Sequence, residues 1–160
     1  MRPFLFFLLI VTITSCNRKF SRDLQQKPGG LEIMHPFGFV NATDLSEVLF
    51  FAKAENKLVF LDVYTDWCLP CQIMDEDVFS NNELAHYYDE RFVSYKVNAE
   101  KGTGPLIAIN YDVPAYPTLL FLNAEGEVLV KKLGSARRLE MFDLADEAVA
   151  KGVMPEESDN

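Results

Sequence analysis

The run from Leu58 to Tyr64, Leu-Val-Phe-Leu-Asp-Val-Tyr, is almost unbroken in apolar strand formers. Such a run belongs in a strand buried on both faces, which needs helices above and below it. Asp62 interrupts it. Immediately beyond, Trp67-Cys68-Leu69-Pro70-Cys71 opens a stretch that reads as a helix to about Val78, with Pro70 suited to a first turn where its missing N–H is not needed. Around this core the other elements follow from local signals. Asp44 to Glu47 forms a capping box for a helix to about Asn56, with Leu45, Val48, Leu49 and Ala52 on its buried stripe. Ser80 to Glu83 is a second capping box, for a helix through Asp89. Phe92 to Asn98 reads as a strand and Pro105 to Tyr111 as a short helix. Thr118–Leu122 and Val128–Lys132 form a hairpin around Asn123 to Gly126, and Ser135 to about Lys151 is a closing helix. The strand–helix–strand portion requires a parallel pair and the hairpin an antiparallel edge. The fold class is α/β, a mixed four- to five-stranded sheet with helices on both faces.

A chain of 160 residues holds one such domain and tails. Its net charge of −9 and lack of any basic cluster exclude nucleic acid as a partner, because phosphate binding needs Lys and Arg. Residues 1–15 read as an export signal: Met1-Arg2, then an apolar stretch from Phe4 to Ile13 that is shorter than a bilayer span. Ile13-Thr14-Ser15-Cys16 resembles the lipobox of bacterial lipoproteins, and the resemblance implies lipidation of Cys16 and attachment to a membrane. Residues 16–40 then read as a lipid-anchored linker, whose polar stretch from Asn17 to about Met34 has a flexible reach of roughly 25 Å. The domain is expected over 41–153, and residues 154–160 as an acidic tail. Acylation of Cys16 also leaves Cys68 and Cys71 as a self-contained pair in an exported, oxidising compartment.

On spacing alone, that pair could be a zinc half-site, an inert disulfide or a redox dithiol. Structural zinc needs four ligands, and no second Cys-x-x-Cys exists; His35 and His86 lie in no ligand spacing. No metal or other cofactor is called for. Asp62 could be an edge-strand carboxylate, a partner of Lys96, or a buried acid whose pKa desolvation raises. The runs Asp75-Glu76-Asp77 and Glu156-Glu157 read as solvated faces.

Four separated motifs carry a family resemblance over about Asp44 to Lys151: Leu61 to Cys71, Tyr95-Lys96-Val97-Asn98, Tyr116-Pro117-Thr118 and Leu133-Gly134. Together they resemble the thioredoxin superfamily. Met74 to Glu90 further resembles the thioredoxin-like domain of transmembrane thiol–disulfide interchange reductases. The resemblance implies a thioredoxin-like fold and a candidate catalytic set of Cys68, Cys71, Asp62 and Pro117. Cys68, at a helix N-terminus that favours a thiolate, would be the exposed attacker, and Cys71 the more buried resolving thiol. Asp62 would relay a proton through water to or from Cys71. Tyr116–Pro117 would be cis, although X-Pro bonds are mostly trans. Trp67, Leu69, Pro70 and Tyr116 would meet substrate. The function so implied is an exported, membrane-tethered protein-disulfide reductase. It would act as a monomer on disulfide-bearing proteins and draw electrons from an upstream thiol donor. A disulfide oxidase or isomerase, or a redox-switched binding module, would use the same residues.

Overall fold

The computed structural model describes Glu32–Ile33 and residues 37–152. The proposed signal and lipidation site at Cys16, and the acidic tail, lie outside the described residues. Strand β1 (Glu32–Ile33) and β2 (Val40–Asn41) precede α1 (Leu45–Glu55) and β3 (Leu58–Tyr64). Then come α2 (Leu69–Asp77), α3 (Asn82–Arg91), β4 (Phe92–Asn98), α4 (Gly104–Asn110), β5 (Thr118–Leu122), β6 (Val128–Leu133) and α5 (Arg138–Gly152). The sheet order is β1-β2-β4-β3-β5-β6. β3 runs parallel to β4, in register from Leu58 opposite Phe92 to Tyr64 opposite Asn98, and antiparallel to β5. The sheet is therefore mixed and thioredoxin-like, as expected, with β3 at its centre. The sixth strand arises because the short β1 and β2 extend the edge beyond the four or five strands expected.

Alternation along β3 divides the core between two layers. Val59, Leu61 and Val63 face Leu45, Val48 and Ala52 of α1 and Ile107 of α4. Phe60 faces the layer built by Met74 of α2 and its C-cap Val78, Leu84 and Tyr88 of α3, and Met141 and Ala145 of α5. Helices thus cover both faces.

Local chemistry sets the helix ends. The Asp44 side chain accepts from the Glu47 N–H at 3.1 Å, while Glu47 Oε2 accepts from the Thr43 N–H at 2.9 Å. Asn56 ends α1 in the left-handed region that asparagine tolerates, at φ 52°. The second capping box moves by one residue. Asn81, not Ser80, caps α3, its side chain accepting from the Leu84 N–H at 2.9 Å. Asparagine and serine are comparable caps, so adjacent candidates are separated only by where the backbone turns.

The packed body starts ahead of residue 41. Phe37 and Phe39, within the segment read as linker, are buried. The Phe37 ring lies 4.8 Å from Phe79 and 4.9 Å from Tyr88, centroid to centroid. Between them Gly38 has φ 72°, and a Cβ there would stand 2.0 Å from Asp89 Oδ1, so only glycine fits this turn.

Candidate active site

The central strand ends at Tyr64, and the chain turns through Thr65, Asp66 and Trp67 into α2. Cys68 is the N-cap of that helix and Pro70 lies in its first turn. Cys68 and Cys71 are joined in a disulfide, with Cα atoms 5.3 Å apart. The Cys71 N–H is shared between the Cys68 carbonyl at 3.1 Å and Cys68 Sγ at 3.2 Å, so an amide of the helix terminus already points at the N-terminal sulfur. No equivalent donor to Cys71 Sγ is seen among the described residues.

Exposure does not distinguish the two sulfurs. Cys68 is 3% exposed and Cys71 2%, against the expectation of an exposed attacker. The bond to Cys71 folds the Cys68 side chain back onto the helix terminus, and in this oxidised form the two are equally covered. Their inequality is electrostatic: Cys68 lies at the positive end of α2, and Cys71 lies in its first turn on the inward face with Met74.

Around the disulfide the surface is apolar. Trp67 is 67% exposed and Leu69 63% exposed, Pro70 is exposed, and Tyr116 is half-buried. The Trp67 and Tyr116 rings meet edge to face at 5.9 Å, which brings the turn before β5 beside the dithiol. The Tyr116–Pro117 peptide is cis, as the resemblance implied. Pro117 is buried and its carbonyl accepts from the Gly134 N–H at 2.8 Å, tying the turn to the end of β6. Gly134, at φ 77°, takes a backbone conformation open to glycine.

Three polar side chains support this surface through contacts that sequence reasoning did not single out. Glu100 accepts from the Trp67 indole N–H at 3.1 Å. Asn98 donates to Asp66 Oδ1 at 2.7 Å, and Lys101 pairs with Asp66 at 2.6 Å, pulling the Asp66 pKa down. The loop after β4 therefore holds the loop after β3. Parallel register puts both loops at one end of the sheet, and Asn98 opposite Tyr64 was the available signal.

Beneath α2, Asp62 is buried in the central strand, which removes the edge-strand alternative. Its neighbour across the parallel ladder is Lys96, whose Nζ lies 3.1 Å from Asp62 Oδ2. Lys96 also pairs with Asp75 of α2, a residue read from sequence as part of a solvated face. Asp62 Oδ1 has no hydrogen-bond partner among the described residues. Desolvation raises the Asp62 pKa from 3.8 to about 6, against the pull of Lys96. Burial works against the Lys96 charge, but Asp62 and Asp75 outweigh it and raise its pKa. Asp62 shares a sheet face with Phe60, the face that α2 covers through Cys71 and Met74.

The arrangement can exchange a disulfide: a favoured thiolate position, a second thiol within bonding reach, and a buried acid that titrates near neutrality. Among the described residues no group of three His, Cys, Asp or Glu could hold a metal ion, and no helix is long and apolar enough to cross a membrane.

Residues 40–124 match a thioredoxin-like family profile. Over 89 residues the chain is 40% identical to thioredoxin-T of Drosophila melanogaster, covering 56% of this chain and 52% of the relative. Over 85 residues it is 36% identical to thiol:disulfide interchange protein DsbD 2 of Pseudomonas aeruginosa, covering 52% of this chain and 14% of that protein. The chain thus spans about half of one curated relative and a small part of the other. In solution, a candidate disulphide-isomerase from Bacteroides thetaiotaomicron has a similar structure, with TM-score 0.56 and 39% identity. That likeness covers 71% of this chain and 88% of the other.

Proposed function

Because the chain belongs to the thioredoxin-like family and is a thiol–disulfide oxidoreductase in type, we propose that it is an exported, membrane-tethered protein-disulfide reductase. The observation that carries the reading is the Cys71 N–H aimed at Cys68 Sγ on the N-cap of α2, which makes Cys68 the better thiolate. In the reduced protein the Cys68 thiolate attacks a substrate disulfide, forming a mixed disulfide and releasing one substrate thiolate. Asp62, as carboxylate, takes the Cys71 proton through water. The Cys71 thiolate then attacks Cys68 Sγ, the second substrate thiolate leaves, and the Cys68–Cys71 disulfide forms. Two electrons have passed to the substrate, and an external dithiol restores the pair. Trp67, Leu69, Pro70 and Tyr116 offer the contact surface, with cis-Pro117 beside it presenting the Tyr116 backbone to an extended segment. The likeness to an interchange protein and the lipobox-like segment ending at Cys16 support export and tethering.

Trapping tests this. With Cys71→Ser, Cys68 should accumulate in mixed disulfides with partner proteins, identified by mass spectrometry. Wild type should turn over a protein disulfide repeatedly with dithiothreitol as donor. Trapping no greater than in a Cys68→Ser control would refute the reductase. One mixed disulfide without turnover would instead identify a redox-switched binding module.

A further inference from the structure

Asp75 lies four residues after Cys71 in α2, so the two occupy the same side of the helix one turn apart. Cys71 faces the sheet, while Asp75 sits at the helix shoulder, its side chain 38% exposed. From there it reaches the same ammonium that pairs with Asp62. The Lys96 Nζ is enclosed by aromatic rings, 4.7 Å from the Tyr64 centroid, 5.3 Å from Phe79 and 5.7 Å from Phe39. Those rings leave the cation little room to follow one carboxylate and abandon the other. The result is a row of charges, Asp62, Lys96, Asp75, leading from the buried centre of the sheet to the protein surface beside the dithiol helix.

We infer that Asp75 is a positioning residue of the dithiol site: by holding part of the Lys96 ammonium's interaction, it sets the pH at which Asp62 accepts the Cys71 proton. This rests on the proton relay proposed above. The groups facing Asp62 are few. β4 presents Lys96, with Ser94 uncharged on the same strand face; α2 presents Asp75 and the dithiol; β5 places the apolar Leu119 opposite. The aromatic layer of Phe39, Phe79 and Tyr88 adds no carboxylate or ammonium, and among the described residues only Lys96 and Asp75 act on Asp62 by charge.

Removing either partner of Asp62's row has an opposite consequence. With Asp75→Asn, a like charge disappears and Lys96 serves Asp62 alone, so Asp62 ionises at lower pH. With Lys96→Met, two carboxylates face each other without a cation, so Asp62 ionises at higher pH. An ion pair that only braces α2 against the sheet would lower stability in both variants and leave the titration of Asp62 in place.

The test is a carbon-13 NMR titration of the Asp62 carboxyl in the oxidised full chain, paired with the pH profile of protein-disulfide turnover. The wild-type midpoint is expected near the pKa of about 6. Asp75→Asn should move it down by about half a pH unit or more, and Lys96→Met should move it up by a similar amount. Asp75→Glu should restore the wild-type midpoint. The acid limb of turnover should follow each shift, since protonated Asp62 cannot take the Cys71 proton. An unmoved or raised midpoint in Asp75→Asn overturns the inference. If wild type reduces no protein disulfide, the functional reading fails instead, while the carboxyl titration still decides the role of Asp75.

Discussion

A carboxylate removed from water ionises reluctantly, and at Asp62 burial outweighs the attraction of Lys96, so the group titrates two units above an ordinary aspartate. The sign of its effect on stability follows. Between the unfolded value of 3.8 and the folded value of about 6, the folded state holds the proton that the unfolded state has released. Stability from this group therefore falls as pH rises through that window and is level above it. Asp62→Asn removes the loss. Urea denaturation of the oxidised protein should show the variant gaining on wild type by roughly 2–3 kcal/mol between pH 4 and pH 7. Its reduction of protein disulfides should slow over the same range. A stability difference that stays constant with pH would mean that Asp62 is not buried and neutral in the folded acid form. The sequence exposed this residue because an acid stood out in an apolar run. Asp75 was harder to see: an acid among acids on a helix looks solvated, and its partner Lys96 is distant in sequence. Only its spacing of four from Cys71 hinted at the site.

At the level of elements, β3 and β4 were legible to their ends, β3 as an apolar run broken only by Asp62 and β4 by its alternation of apolar and polar residues. The start of α3 was legible only to within a residue, because Ser80 and Asn81 both offer a capping oxygen and the choice depends on chain direction after α2. Asn81→Ala should cost about 1 kcal/mol of stability, the ordinary loss of an N-cap. Ser80→Ala should cost distinctly less in the same urea titration, as Ser80 only donates to the Glu76 carbonyl at 2.5 Å. The mutual bracing of the Trp67 loop and the Glu100 loop was not visible at this scale. Each loop looks like an ordinary connection until the parallel register of β3 and β4 sets them side by side.

For the whole molecule, the boundary of the domain was the least legible feature. A polar, glycine-bearing stretch precedes it, and two aromatic residues after Pro36 carry no periodicity to mark them as core. Yet Phe37 is fully buried and touches rings from β3, α2's exit and α3, so the segment ahead of β2 closes one face of the sheet. Phe37→Ala should cost about 3–5 kcal/mol. A loss below about 1 kcal/mol in urea denaturation would place Phe37 outside the cooperative core. The mixed sheet with its two helical layers was legible because the apolar run of β3 calls for cover on both faces while each helix offers one buried stripe. The indole that Glu100 and Tyr116 steady beside Cys68 also has an optical consequence, for it is the chain's only tryptophan. A neighbouring disulfide drains an excited indole by electron transfer, and a dithiol does so far less. The protein should thus carry its own fluorescent gauge, dimmer when Cys68 and Cys71 are joined and brighter when they part.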